Sequence, residues 1–210
     1  NDKIKFLPVT PEILKGCHYK GGFDCVAIYL RNNPESRFFS KKGLILGGSH
    51  SPSPLNSEAH QGDLSAVLLQ NLNPLVNLIR VPKKPIILMD EWESKIKAIV
   101  ENTWNKDVNS LSGVPSWMLV LIKAVLKKTG REYLTDVWPN LEVFFHGGIS
   151  FEPYREQYKT LIPSNKMHYM ETYNASEGFF GLQDDPTDPS LLMMPDYGIF
   201  YEFIPMNEVG

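Results

Sequence analysis

The sequence has no basic surplus: its 21 Lys and Arg are outweighed by 24 Asp and Glu, for a net charge of −3. That removes the electrostatic footprint a nucleic-acid partner requires. Apolar runs such as Leu44–Leu46 and Ile86–Met89 are strand-sized, far short of the roughly 20 residues that cross a bilayer. No membrane partner is expected, and the start of the chain carries no signal-peptide pattern. The 2 cysteines, Cys17 and Cys25, fall in one helical-looking stretch, with neither metal spacing nor a disulfide framework. A cytoplasmic setting is therefore expected. There is no internal repeat, no low-complexity stretch, and no nucleophile-elbow pattern around Ser49 or Ser176.

What is present is an alternation of helical and strand patterns. Thr10-Pro11-Glu12 reads as a helix start, with threonine as cap and proline in the first turn. That helix is expected to reach about Arg31 despite Gly21 and Gly22. Gly43–Leu46 reads as a strand, Ser51–Pro54 as an extended loop, and Asp63–Leu72 as a helix. Asn73-Pro74 opens a further helical turn that ends before Val81-Pro82, and Pro85–Met89 is a short strand or the approach to the next helix. Asp90–Asn105 is amphipathic, with Trp92, Ile96, Ile99, Val100 and Trp104 on one side and Lys95, Lys97 and Glu101 facing elsewhere. Val108–Leu111 reads as a strand, and Ser116–Lys128 as a helix closed by Gly130. After a Thr135–Pro139 linker come strand Leu141–Phe145, helix Ser150–Thr160, strand Lys166–Glu171 and a hairpin partner Gly178–Gln183. An acidic turn, Asp184–Pro189, leads to closing strands at Met193-Met194 and Tyr197–Ile204. The order predicts an α/β domain, a layered mixed sheet flanked by helices.

Two segments carry chemistry. His168–Glu171 leads through Thr172 into Tyr173-Asn174-Ala175-Ser176-Glu177-Gly178. A tyrosine offers a flat face for a purine, a serine offers a hydroxyl to a phosphate or ribose, and a glutamate is a hard oxygen ligand for Mg²⁺. The same residues also suit an ordinary hairpin with a packed tyrosine. Upstream, Leu141–Phe145 runs into His146-Gly147-Gly148. Such a diglycine lets backbone approach a ligand, or simply makes a tight strand-to-helix turn. About twenty-five residues separate the two strands, the length of one parallel crossover. Both strand ends would then lie at one sheet edge, where ligands of open α/β sheets bind.

Competing chemistries fit less well. His50, Glu58 and His60, with His18 and His168, match no zinc spacing and read as loop and surface histidines. His146 either borders a nucleotide or bonds a backbone carbonyl at its strand end. Asp90, Glu91 and Glu93 suit a helix start, and Asp184, Asp185 and Asp188 a solvated turn, better than a glycosidase pair. Met193-Met194 and Trp92 with Trp104 read as core packing.

Tyr173-Asn174-Ala175-Ser176-Glu177 resembles the tyrosine…serine/threonine-glutamate motif of adenylate-forming enzymes. Phe144-Phe145-His146-Gly147-Gly148-Ile149-Ser150-Phe151-Glu152-Pro153-Tyr154 is similar to the bacterial branch of the Gretchen Hagen family of acyl acid–amido synthetases. So are Lys42–His50, Gly113–Met118 and Tyr201–Pro205. The resemblance runs in order along nearly the whole chain. It implies the large N-terminal domain of an adenylate-forming enzyme, with ATP and Mg²⁺ as cofactors and a carboxylic acid and an amine, usually an amino acid, as substrates. By resemblance Tyr173 lies against adenine, Ser176 near the α-phosphate, and Glu177 holds the magnesium or its water. Gly147 and Gly148 line the adenine pocket, and Asn174 and Ala175 occupy the turn. The wider superfamily often has glycine directly after the tyrosine, where this chain has Asn174.

In that family a phosphate loop precedes a segment like Asn1–Thr10, and a ribose-binding aspartate and a C-terminal domain with a catalytic lysine follow one like Tyr201–Met206. The expectation is an internal fragment, residues 1–210 of a longer synthetase, without turnover by itself. A coenzyme A thioester ligase and a noncatalytic ligand-binding module are the alternatives.

Overall fold

The computed structural model describes residues 7–52 and 60–208, without the side chains of residues 50–52, 60 and 61. Asn1–Phe6, Ser53–Pro54 and Glu58, with the side chains of His50 and His60, lie outside the described residues.

The first helix is one rod of three parts: α1 (Pro11–Ile13), a π-helical segment (Leu14–Tyr19) and α2 (Lys20–Asn32). Thr10 caps it as expected, its Oγ1 accepting from the Ile13 amide at 3.4 Å. Gly21 is tolerated in the rod for a packing reason. A Cβ there would stand 2.4 Å from the Phe179 ring, so the glycine sets how close α2 lies to the sheet.

Among the described residues, seven strands form the main sheet in the order β4 (Arg80–Val81), β1 (Lys42–Leu46), β5 (Val108–Gly113), β6 (Val143–Gly147), β7 (His168–Ala175), β8 (Gly178–Leu182) and β9 (Leu192–Met193). The pairs from β4 to β7 are parallel, and the last two pairs are antiparallel. This is the expected mixed α/β sheet. β2 (His50–Pro52) and β3 (His60–Gly62) form a separate ribbon, so Ser51-Pro52 is strand rather than loop.

The remaining helices are α3 (Leu64–Gln70), α4 (Lys84–Ile87), α5 (Trp92–Thr103), α6 (Pro115–Thr129), α7 (Leu134–Val137) and α8 (Arg155–Leu161). One sheet face carries the larger core, where Ile96 and Ile99 of α5, Ile122 and Val125 of α6 and Tyr158 of α8 meet Leu44, Leu111 and Phe144. The other face packs Cys17, Cys25 and Tyr29 against Val143, Met170 and Phe179.

Several elements differ from the sequence reading. Arg80–Val81, expected at a helix end, is the edge strand, because parallel pairing with Gly43 and Leu44 recruits it. β7 runs on to Ala175 because β8 pairs with it up to the turn. Asn174 and Ala175 are therefore strand residues, and the turn is Ser176-Glu177 alone. Tyr197–Ile204 forms no strand, Thr135–Val137 belongs to α7, and α8 begins only at Arg155. Lys95, expected to face away from the core, is 2% exposed, whereas Trp104 and Met193, expected in the core, are partly exposed.

Candidate functional site

The parallel pairing of β6 and β7 places Gly147 opposite Thr172. The diglycine and the Tyr173–Glu177 segment thus leave the sheet side by side, from adjacent carboxyl ends. Gly147 must be glycine: a Cβ there would lie 2.3 Å from the Thr172 carbonyl oxygen. Gly148 takes φ +83°, which glycine adopts without the cost an L side chain incurs. Alternation along β7 divides its residues between the two faces. Thr172 and Asn174 face the cavity described below. Tyr173 faces the other way, is 56% exposed, and stands 5.0 Å from the Phe180 ring. Ser176 and Glu177 are exposed at the hairpin tip.

The cavity lies on the α2 face of the sheet and holds about 810 Å³, within the range of small-molecule sites. Its floor is made by small residues of the central strands, Gly43, Ser110 and Ser112, beside Ile45 and Phe145. Phe23 and Val26 of α2 form one wall, and Leu64 and Leu68 of α3 the other. It extends to Gly147 and Gly148 at the strand ends, but not to Tyr173, Ala175, Ser176 or Glu177. The sheet explains the position. From β1 the chain steps outward to β4 and then returns across β1 to β5, and α3 and α6 lie on opposite faces. The carboxyl ends of β1 and β5 are therefore a topological switch point, the place where open α/β sheets bind ligands.

Three polar residues at this site escaped the sequence reading. Lys95 of α5 donates from Nζ to the carbonyls of Gly47 (2.7 Å) and Gly48 (2.9 Å), while the Gly48 amide donates to Ser65 Oγ at 2.8 Å. The loop after β1 is thereby held from two sides. Burial lowers the Lys95 pKa from its usual value, and Asp63 and Asp90 oppose that shift. His18, from the π-helical segment, lines the cavity, and its Nδ1 lies 2.8 Å from Asn174 Oδ1. This contact accounts for an asparagine after the tyrosine. The third is Arg80, which is buried and lines the cavity.

His18 and His168 are not the loop and surface residues expected: His18 is buried and His168 is half-buried. His146, at its strand end, is also buried and lines the cavity. His146 stacks on Phe151 at 4.2 Å. Burial, with the Arg155 charge, pushes its pKa down to about 3. Among the described residues no three of His, Cys, Asp and Glu converge as a metal cluster. Mg²⁺ does not require one, since it is held by one or two carboxylates plus substrate phosphates. An exposed Glu177 at a strand-end turn fits that donor set. Among the described residues no helix is long and apolar enough to cross a membrane.

A family model described as the GH3 family N-terminal domain matches residues 1–167. Among solved structures, an acyl acid amido synthetase, GH3.15, aligns with a TM-score of 0.66 at 15% identity, over 91% of this chain and 43% of its own. A long-chain-fatty-acid–CoA ligase from Archaeoglobus fulgidus aligns with a TM-score of 0.38 at 13% identity, over 79% of this chain and 29% of its own. No curated protein matches. The chain therefore spans less than half the length of the synthetase whose fold it shares.

Proposed function

The chain belongs to the GH3 family, and on that premise we propose that it is part of the adenylating domain of an ATP-dependent acyl acid–amido synthetase. The observation that supports this most directly is the register of Gly147 with Thr172. It sets the diglycine, which lines an apolar cavity, beside the Tyr173–Glu177 segment at adjacent strand ends.

A carboxylate does not acylate an amine at neutral pH, because it is a poor electrophile with a poor leaving group. In the proposed reaction a carboxylate oxygen of the acid attacks the α-phosphorus of ATP and pyrophosphate leaves. The amine nitrogen of an amino acid then attacks the acyl carbon, and AMP leaves with the former carboxylate oxygen. The hydrocarbon of the acid occupies the cavity over Gly43, Ser110 and Ser112. Adenine lies against the exposed face of Tyr173, and Gly147 and Gly148 admit it close to backbone. Ser176 offers its hydroxyl to the α-phosphate. Glu177 holds Mg²⁺, which when bound neutralises charge on the phosphate oxygens. Lys95 holds the Gly47–Gly48 loop at the same rim, so its role is positioning. By the motif resemblance the proposed source is bacterial, and by composition and cysteine usage the proposed setting is cytoplasmic.

Acid-dependent exchange of labelled pyrophosphate into ATP, measured on the longest gene product that contains this chain, tests the proposal. Exchange is expected with at least one member of a broad acid panel, followed by acyl transfer to an amino acid. Transfer only to coenzyme A would make it a thioester ligase, and no exchange with any acid would leave a binding module. Glu177→Ala is expected to slow exchange by about 10²-fold or more with an unchanged melting temperature. Full exchange activity in that variant would remove Glu177 from the reaction.

A further inference from the structure

Among the described residues, Arg80 presents a charge without a counter-charge. It is 5% exposed, in edge strand β4. Its Nε donates to Asn77 Oδ1 at 2.8 Å and its Nη2 donates to the same oxygen. Its Nη1 is buried with no hydrogen-bond partner, and no ion pair is formed by Arg80 among the described residues. Guanidinium does not give up its proton in a protein. Burying it unpaired is unfavourable, and an oxyanion is the partner its fork geometry matches. Burial lowers the Arg80 pKa, and no carboxylate among the described residues acts on it in the opposite sense.

Arg80 lines the same cavity as Gly147 and Gly148, but at the other end. It is level with Gly43 on β1, which is level with Ser110 on β5 and so with Val143 on β6. Gly147 is three strands across and four residues further along. With about 4.8 Å between strands and 3.3 Å per residue, the two backbones are roughly 20 Å apart. Asp63 is the single acidic residue among the described residues lining the cavity. It lies against Gly48, where a Cβ would meet its Oδ2 at 2.0 Å, at the carboxyl end of β1. A carboxylate undergoing activation beside the diglycine cannot also satisfy Arg80. A second oxyanion at the far end of the same molecule can.

We propose that Arg80 is a specificity residue that reads a second anionic group on the acid, so that the preferred substrate is an apolar carboxylic acid ending in another oxyanion. This rests on the reading of the cavity as the acid site. The intervening floor, Gly43, Ser110, Ser112 and Ile45, suits a slender hydrocarbon linker.

The test is calorimetric titration of this chain with matched pairs: hexanedioate against hexanoate, octanedioate against octanoate, decanedioate against decanoate. At least one diacid is expected to bind about tenfold or more tightly than its partner. Arg80→Met should abolish that advantage within every pair, and Arg80→Lys should keep part of it. Equal binding within every pair, or an advantage that survives Arg80→Met, overturns the role of Arg80 while leaving the cavity as an acid site. Absence of binding by both classes overturns the acid site itself, and this inference with it. If Arg80→Met fails to fold, the matched pairs on the unsubstituted chain still decide the matter.

Discussion

Burial sets the protonation of His146 and makes it a contributor to acid lability. An unfolded imidazole takes up a proton near pH 6.5, whereas the folded one resists until about 3. Between those values the unfolded state binds more protons, so stability is lost as pH falls through that window. The loss from pH 6.5 to 5 is at most about 2 kcal/mol. His18 and His168, whose pKa values are also lowered chiefly by burial, act in the same direction. His146→Phe keeps the stack on Phe151 and removes the titration. Denaturant midpoints of that variant should depend less on pH between 7 and 5, and an unchanged slope would place the lability elsewhere. Residue identity was legible where chemistry is local: Gly147, Gly148, Tyr173 and Glu177 stood out from the sequence alone. Lys95 did not, although position 95 lies on the stripe of Trp92, Ile96 and Ile99 at helical spacing. A lysine there read as solvent-facing because its partners, the Gly47 and Gly48 carbonyls, are distant in sequence.

Among the elements, two glycines separate two physical causes. Gly130 ends α6 at φ +65°, and a Cβ there would meet nothing within 4 Å. Gly130→Ala should therefore cost only the left-handed backbone conformation, about 1–2 kcal/mol. A Cβ at Gly147 would instead strike the Thr172 backbone. Gly147→Ala should cost about 1–3 kcal/mol from overpacking and also weaken ligand binding, which Gly130→Ala leaves intact. Thermal melts and titrations of both variants check the contrast; equal effects on binding would detach the diglycine from the site. The long periodic helices α5 and α6 were legible with their ends nearly in place, because caps and apolar stripes are local signals. The two-residue strand β4 and the extension of β7 through Asn174 and Ala175 were not. Both exist through pairing with another strand, Gly43–Leu44 in one case and Gly178–Phe179 in the other.

For the molecule as a whole, the exposed apolar surface is large. Phe200 and Met206 are 86% and 87% exposed, and Phe203 and Ile204 are also exposed, as are Phe23 and Phe39 on the cavity side. Apolar surface left open in this way favours interaction or association. The chain is expected to self-associate as its concentration rises, measurable by sedimentation velocity. Replacing Phe200, Phe203 and Met206 with serine should shift it toward monomer while the melting temperature holds. A monomer at every concentration before substitution would show that this segment covers itself in solution.

The sequence by itself determined the alternation of helices and strands, the caps of α1 and α6, and the diglycine and Tyr173–Glu177 segments with the family they resemble. Those features depend on neighbours a few residues away, and periodicity reports them directly. The tertiary structure alone decided that Asn174 turns to His18 while Tyr173 turns to the opposite face. It also decided that Lys95 is buried, that small residues on β1 and β5 leave a cavity between α2 and α3, and that Arg80 lies at its end without an acidic partner among the described residues. The physical reason is that periodicity says which side of an element is apolar, but not which other element that side will meet.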